Sequence, residues 1–276
     1  MSMVYHSPQA DVWRNLALEA HLLDRADLDR PLLLTWAGCE AVVLGRNQNP
    51  WRECDPEALS AAGVPLARRV SGGGTVYHDP GNLNYGVITD RTRYEPERVY
   101  AVAERALAGF GVRLERVEKT RLYVRGRKCS GHAFAFRRGR ALHHGTLLVE
   151  ADLERLERML TPALPALETA AVPSVRAPVA NLAEFAPGLD IPSLRDALER
   201  AFIELFGSGP RLRLSLNDAE EEDLTLREAQ LRAPEWLYGR TPPFSADLPG
   251  GRRVRVRRGR LDDGRGDWFR PEIPEP

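Results

Sequence analysis

The sequence predicts an α+β fold, a mixed and mostly antiparallel sheet backed by helices. Three observations lead there. Short apolar runs bounded by Pro and Gly recur through the first half of the chain. Amphipathic helical stretches interrupt them in the order helix, strands, helix, strands, helices. No internal repeat and no regular strand–helix alternation is present, which argues against a βαβ-type parallel sheet.

Each element has a local reason. Trp13, Leu16, Ala17 and Ala20 fall at helical spacing, so residues 11–24 read as an amphipathic helix. PLLLTW (31–36) and AVVLG (41–45) read as two strands with a turn at Gly38. PEALSAAG (56–63) is a short helix ending at Gly63. PLARRV (65–70) and LNYGVI (83–88) are strands flanking a glycine-rich loop. EPERVYAVAERALAGFG (95–111) is a helix with Gly109 and Gly111 at its end. RLYVRGRKCSG (121–131) is a hairpin turning at Gly126, and ALHHGTLLVE (141–150) is a further strand. IPSLRDALERAFIELFG (191–207) has Pro192 near its start, Leu194, Leu198, Ala201 and Leu205 on one face, and Gly207 at its end. LTLREAQLRAPEW (224–236) is a helix broken before Pro234. From about residue 246 the chain offers at most one hairpin and a Pro-rich end, too little for a core of its own.

Composition narrows the function. The chain has 276 residues, 43% hydrophobic and 28% charged, and can bury a sizeable core. Its 39 basic and 39 acidic side chains give a net charge of zero, so no global field draws it to nucleic acid or membrane. Three cysteines without a CxxC pair argue for a reducing compartment. The N-terminal MSMVYHSPQADVW lacks a signal-peptide apolar region, and no run is long enough to span a bilayer. A cytoplasmic protein is expected.

Two stretches stand out. In RRVSGGGTVYHDPGNLNY (68–85), three successive glycines follow a strand. Such a run suits close backbone approach to a ligand, with exposed N–H groups forming an anion-binding concavity that Arg68 and Arg69 could complete. A plain turn is the alternative. It is neither a P-loop nor a dinucleotide fingerprint. In GRKCSG (126–131), Lys128 is one of only two lysines, with Lys119, in a chain that otherwise uses arginine. On a strand Lys128 and Cys129 face opposite ways, so a site-facing Lys128 implies a core-packed Cys129. Lys119 is expected on the surface. In HHGT (143–146), adjacent histidines point apart and no further ligand set accompanies them, so no metal site is expected.

RRVSGGGTVYHDPGNLNY, GRKCSGHAF, ALHHGTLLVEADLERL and PSVRAPVANL occur in the order found in lipoate–protein ligase A and its relatives. NLALEAHLL (15–23), LGRNQNPWRECD (44–55) and PEWLYGRTPPFS (234–245) are also similar to that family, so the resemblance covers residues 11–245. It implies the catalytic fold shared with biotin–protein ligases and related to class II synthetases. It implies an ATP-dependent reaction: lipoate and MgATP give lipoyl-AMP, and a lysine of a lipoyl carrier domain then takes the lipoyl group. By the same resemblance Lys128 is the catalytic lysine. Arg69, Gly74, Thr75, Val76, Tyr77 and Asn82 join it as ATP or adenylate contacts, and Ser71, Gly72, Gly73, His144 and Thr146 as lipoyl contacts. Carriers would be lipoyl domains of 2-oxoacid dehydrogenase complexes or the glycine-cleavage carrier protein.

One departure is visible. The larger members carry an accessory domain after the YGRTPPFS segment, where this chain has only residues 246–276. The expected division is a catalytic domain over 1–245 and a short vestigial accessory tail over 246–276, or an accessory chain supplied separately. An ATP-independent lipoyl or octanoyl transferase on the same scaffold would use a cysteine upstream of the lysine, and 111–127 has none.

Overall fold

The computed structural model describes residues 2–25, 30–118, 120–207, 212–213, 216–248, 251–264 and 266–271. In chain order they form β1 (Met3–His6), α1 (Val12–Asp24), β2 (Leu32–Trp36), β3 (Ala41–Leu44), α2 (Pro50–Glu53), α3 (Pro56–Ala61), β4 (Leu66–Arg68), β5 (Val76–His78), β6 (Asn82–Asp90) and α4 (Pro96–Ala108). Then come β7 (Glu115–Val117), β8 (Arg121–Val124), β9 (Arg127–Arg137), β10 (Arg140–Leu148), α5 (Leu153–Met159), β11 (Glu168–Thr169), α6 (Ile191–Phe206), β12 (Leu212–Arg213), α7 (Asp218–Arg232), α8 (Pro234–Leu237), β13 (Phe244–Asp247), β14 (Arg253–Arg257) and β15 (Arg260–Leu261).

The main sheet runs β12-β1-β2-β6-β10-β9-β8-β7. Only β1–β12 and β1–β2 pair in parallel; every other neighbour is antiparallel. The mixed, mostly antiparallel sheet expected from the sequence is therefore present. Two turns fix the central meander. Arg125–Gly126 and Arg138–Gly139 both have positive φ (47° and 78°, 44° and 76°), the backbone that closes a two-residue hairpin with the right twist.

Helices cover both faces. On one face α4 and α6 bury Val99, Val102, Leu107, Leu194, Leu198 and Phe202 against Leu33, Tyr85, Val87, Leu122 and Leu147 of the sheet. On the other, α1 buries Leu16, Leu22 and Leu23 against Leu32, Leu34, Ile88 and Leu142, and α7 adds Leu224 and Leu231. Local signals set the ends. Asp11 accepts from Arg14 N at 2.9 Å to cap α1, and Asp190 accepts from Ser193 N at 2.8 Å to cap α6.

Several elements differ from the sequence reading. PLLLTW and AVVLG do not pair: β2 lies in the main sheet, whereas β3 starts a separate sheet ordered β4-β3-β5. Helix α7 begins at Asp218, before the apolar spacing starts at Leu224. Its first turn carries Asp218, Glu220 and Glu221, which suit the positive end of the helix dipole. The tail, by contrast, is as expected, one hairpin without a core of its own. β14 and β15 join β13 and β11 in a third sheet, whose Phe244, Ala246, Leu248, Val256 and Phe269 share a core with Trp51 and Leu167.

Candidate active site

A cleft of about 340 Å³ lies on the α1 side of the main sheet, walled by the glycine-rich loop and the 172–175 segment. Ladder register lays out its floor. Trp36 on β2 pairs with Asn84 on β6, and Asn84 pairs with Thr146 on β10. Gly131 on β9 completes the row, its N–H donating to Thr146 Oγ1 at 3.4 Å.

A bulge delivers Lys128 to the end of that row. Tyr123 pairs with Lys128 and Leu122 with Ser130, so Cys129 is an extra residue on β9. The bulge resets the side-chain alternation. Lys128 comes to share a side with Gly131, where an added Cβ would stand 3.2 Å from Lys128 Nζ. Glycine there makes room for the ammonium. Cys129 goes the other way, into the α4–α6 core, with its Sγ 3.4 Å from Leu122 O. The Lys128 N–H donates to Pro178 O (2.8 Å) and its carbonyl accepts from Ala180 N (3.0 Å), so the PSVRAPVANL segment clamps its backbone. No hydrogen-bond or ion-pair partner holds its ammonium among the described residues. Burial, then the charges of Arg121 and Arg69, keep its pKa below the ordinary lysine value.

The glycine-rich loop is organised from beneath by Arg69. Its Nη2 donates to Gly72 O (2.6 Å) and Gly74 O (2.7 Å), its Nη1 to Val43 O (3.1 Å) and its Nε to Ser71 Oγ (3.0 Å). The loop carbonyls turn to the arginine. The N–H groups of Gly72, Gly73 and Gly74 keep no protein acceptor among the described residues, and consecutive free amides over a cleft form an anion nest. Gly73 has φ 84°, and a Cβ at Gly45 would lie 2.1 Å from Gly73 O. Loop and neighbouring turn fit only because both residues are glycine.

Arg68 does not complete a phosphate site. Its side chain leaves the strand on the side opposite Arg69 and is fully enclosed. It donates to the carbonyls of Gly45, Arg46, Gln48 and Leu237 and to Thr241 Oγ1.

Beneath the loop runs a buried row of polar contacts, hydrogen-bonded except at Glu19 Oε2, which has no hydrogen-bond partner among the described residues. Trp36 Nε1 donates to Glu19 Oε1 (3.1 Å), His144 Nδ1 stands 2.8 Å from Glu19 Oε2, and His144 Nε2 stands 2.7 Å from Ser71 Oγ. On the outer side Thr75 N donates to Ser174 Oγ (2.8 Å), and Gln48 holds both through Thr75 Oγ1 (2.8 Å) and Ser174 Oγ (3.0 Å).

Residues 11–203 match the lipoyl protein ligase A/B catalytic domain. The chain belongs to that enzyme family. Solved structures share its fold. P. falciparum LipL1 in complex with lipoate is 24% identical, with TM-score 0.73 over 95% of this chain and 82% of that one. Lipoate-protein ligase A bound with ATP is 23% identical, with TM-score 0.72 over 86% and 98%. A bipartite lipoate protein ligase from Thermoplasma acidophilum is 24% identical, with TM-score 0.70 over 86% and 95%.

Of the positions singled out by resemblance to the lipoyl ligase family, Arg69, Gly72, Gly73, Gly74, Thr75, Val76, Lys128, His144 and Thr146 line the cleft. Ser71 lies just behind the wall, between Arg69 and His144. Tyr77 is apart from the cleft: adjacent strand residues alternate, and its ring packs with Val42, Leu44 and Leu66 while its hydroxyl donates to Glu40 Oε1 at 3.1 Å. Asn82 is fully enclosed beyond the floor row, and its amide has no partner among the described residues. Lys119 lies outside the described residues.

Sequence reasoning missed Glu19, Trp36, Gln48, Asn84 and Ser174, and gave His78, a member of the glycine-rich motif, no chemical role. Glu19, Gln48 and Ser174 stood inside quoted motifs, each a polar residue in an otherwise apolar or turn-forming stretch, and that was the available signal. The register that joins Trp36 to Asn84 had no counterpart in local pattern.

Three histidines are buried and uncharged. His78 lines the cleft against the edge of Trp36 (ring centroids 5.1 Å), with neither ring nitrogen partnered among the described residues. His132 Nδ1 lies 2.8 Å from His143 Nε2, and His143 Nδ1 lies 3.2 Å from Tyr94 Oη. Burial, then Arg69 and His144, pulls His78 down to about 3. Burial, then His144, Arg116 and Lys128, does the same to His132. His143 is lowered too, by burial and then by His132, His144 and Arg116.

Released by unfolding, each of these rings would protonate near pH 6.5, so the unfolded chain binds more protons between there and about 3. Stability is full above that window and declines as pH falls through it. Going from pH 7 to pH 5 should cost about 2 kcal/mol per histidine. Urea unfolding midpoints at pH 7, 6 and 5 would measure the decline, and His132→Phe should make it shallower by one histidine's share. A midpoint that does not move with pH would contradict the assignment.

Proposed function

We propose that the chain is an ATP-dependent lipoate–protein ligase, which activates lipoate to lipoyl-AMP and transfers the lipoyl group to a lysine of a lipoyl carrier domain. The observation that carries this is the unpaired Lys128 ammonium, facing a cleft roofed by the free amides of Gly72–Gly74. Activation brings a carboxylate against a triphosphate, and fixed positive groups offset that repulsion. Relatives of the same fold, crystallised with lipoate and with ATP, support both substrates.

In the first step a carboxylate oxygen of lipoate attacks the α-phosphorus of ATP, and the bond to the β-phosphate oxygen breaks, releasing pyrophosphate. Lys128 is suited to donate to the acyl and α-phosphate oxygens together, a task for a compact three-donor point charge rather than a planar fork. Glu19 is the one carboxylate among the described residues lining the cleft, and Trp36 and His144 engage it. The magnesium ion therefore enters as part of the MgATP substrate. In the second step the carrier lysine, as free amine, attacks the acyl carbon. The carbon–oxygen bond to AMP breaks, and the amine's proton leaves with solvent or the departing phosphate.

A thiol-based transferase fits less well. None of the three cysteines lines the cleft. Cys129 is enclosed, and burial pushes its thiol up to about 12. Cys129→Ser should keep turnover within about twofold of the parent, as an isosteric change away from the reacting atoms does. Abolished turnover would revive the covalent route.

The carrier is proposed to be a lipoyl domain of a 2-oxoacid dehydrogenase complex or the glycine-cleavage carrier protein, and the compartment the cytoplasm. A related structure pairs a bipartite ligase with its E2 lipoyl domain, and no described helix here is long and apolar enough to cross a membrane. The deciding experiment is lipoate-dependent ATP–pyrophosphate exchange, run alone and with lysate to supply any accessory chain. Exchange dependent on lipoate supports the ligase; none under either condition, with acyl transfer between carriers intact, would favour the transferase.

A further inference from the structure

The LGRNQNPWRECD stretch (44–55) forms a frame from which the outer wall of the cleft hangs. That wall has little apolar anchorage. Val172 and Val175 are 51% and 58% exposed, and Pro173 and Arg176 are exposed too. Hydrogen bonds hold it instead, and the frame supplies most of them. Val172 N donates to Asn47 O (3.4 Å), and Ser174 N donates to Glu53 Oε1 (3.1 Å).

Gln48 sits at the junction and is fully enclosed. Its carboxamide offers two acceptor sites and two N–H donors, and all four are used. Oε1 accepts from Gly45 N (2.8 Å) and from Thr75 Oγ1 (2.8 Å). Nε2 donates to Val172 O (3.3 Å) and to Ser174 Oγ (3.0 Å). The amide cannot be flipped, because the Gly45 N–H only donates and Val172 O only accepts. One side chain thus joins the turn, the glycine-rich loop and the wall. Thr75 N closes a ring by donating to Ser174 Oγ at 2.8 Å. Gly74 permits the approach: a Cβ there would stand 2.9 Å from Ser174 Oγ.

We propose that Gln48 is a positioning residue that latches the outer wall to the glycine-rich loop and so sets the width of the cleft between them. A buried amide with every capacity filled accepts one arrangement of its partners. Loop and wall therefore stay together unless the two Nε2 bonds break. The latch rests on the ligase reading only for what the cleft grips.

Two variants separate the latch from general damage. Gln48→Met keeps a similar volume and removes all four side-chain bonds. Ser174→Ala removes only the wall's end of the ring and leaves Gly45 and Thr75 on Gln48 Oε1. Hydrogen exchange of the full chain at pH 7, followed by NMR, reads the amides of residues 172 and 174. Their acceptors, Asn47 O and Glu53 Oε1, are untouched by either change. Both amides should exchange at least about tenfold faster in each variant, as expected when two hydrogen bonds to the wall are lost, with β6 and β10 unchanged. The double variant should fall well short of the product of the two effects, because the Gln48–Ser174 bond can be lost only once. In lipoate-dependent pyrophosphate exchange, each variant should raise KM for lipoate about tenfold with kcat within about threefold, the pattern of lost ground-state grip. General damage would lower kcat and leave KM alone. Amides at 172 and 174 as protected as in wild type, a double variant that reaches the product, or a fall in kcat at constant KM would each overturn the latch. Wild-type protein without pyrophosphate exchange would sink the ligase reading and leave the amide measurements to decide the latch.

Discussion

Replacing Lys128 with alanine should lower lipoate-dependent ATP–pyrophosphate exchange by about 10²–10³, the loss seen when one preorganised donor to a developing charge is removed. The fold should survive. Lys128 contributes no side-chain hydrogen bond or ion pair among the described residues, and its half-buried charge lies near Arg69 and Arg121. Removing a cation from such a neighbourhood relieves repulsion, so the unfolding midpoint should stay within about 2 °C of the parent, equivalent to less than about 1 kcal/mol. Lys128→Arg should not rescue exchange. The ammonium already stands 3.2 Å from where a Gly131 Cβ would be, and a wider planar fork would not fit that space in the same orientation. The depressed pKa sets a pH limit. Lys128 loses its proton below the ordinary lysine value, so exchange should fail on the alkaline side earlier than a free lysine would dictate. Exchange assays from pH 7 to 10 on parent and variant, alongside thermal unfolding, check all of this. Retained exchange in Lys128→Ala would remove the central assignment.

The fold was legible where periodicity and punctuation agree. Helix α1, α4 and α6 follow from apolar spacing plus Pro and Gly ends, and the Gly126 hairpin from one turn residue. The partner of each strand was less legible. AVVLG reads as a strand on composition, but whether it pairs with PLLLTW or leaves for a second sheet is decided by long-range contacts that a local window does not contain. The opposed directions of Lys128 and Cys129 were read from simple alternation. The bulge that puts Lys128 and Gly131 on one side was not, because an extra residue leaves no compositional mark.

The site shows the same division. The glycine run was read as an anion-binding concavity completed by two arginines, and Gly72–Gly74 line the cleft with amides that no described protein group accepts. Yet Arg69 reaches its effect by taking the loop carbonyls, and Arg68 faces away altogether. Sequence adjacency treated them as a pair; a strand sends neighbours to opposite faces. Glu19 and His144 are 125 residues apart, and nothing short of the folded sheet joins them. Asn84 likewise acquires its position from register, two strands from Lys128.

Arg68→Ala should destabilise the protein by about 3–5 kcal/mol, the range for breaking a buried charged network. Burial pulls Arg68 down to about 10, so it remains a cation at neutral pH. It is solvated wholly by backbone carbonyls and one hydroxyl. On one side alanine would strand the buried carbonyls of Gly45 and Gln48 and remove the donor from the part-buried carbonyl of Arg46; on the other it would remove the donor from the part-buried carbonyl of Leu237. Lysine would not replace it, because one ammonium has three donors and no fork to span both groups. The two groups are informative. Gly45–Gln48 is the turn against which Gly73 packs, and Leu237–Thr241 leads into β13 and the tail sheet on Trp51, which stacks on Tyr238 (ring centroids 5.6 Å). Arg68 is therefore a bolt between the roof of the cleft and the C-terminal segment. Proteolysis of Arg68→Ala should cut first between residues 238 and 252, ahead of global unfolding, and exchange should fall in parallel as the turn under Gly73 loosens. A detachable tail predicts the opposite: unchanged stability, unchanged exchange, and a cleavage pattern equal to that of the parent. The midpoint shift separates the two, at about 2–4 °C per kcal/mol for a chain of this size.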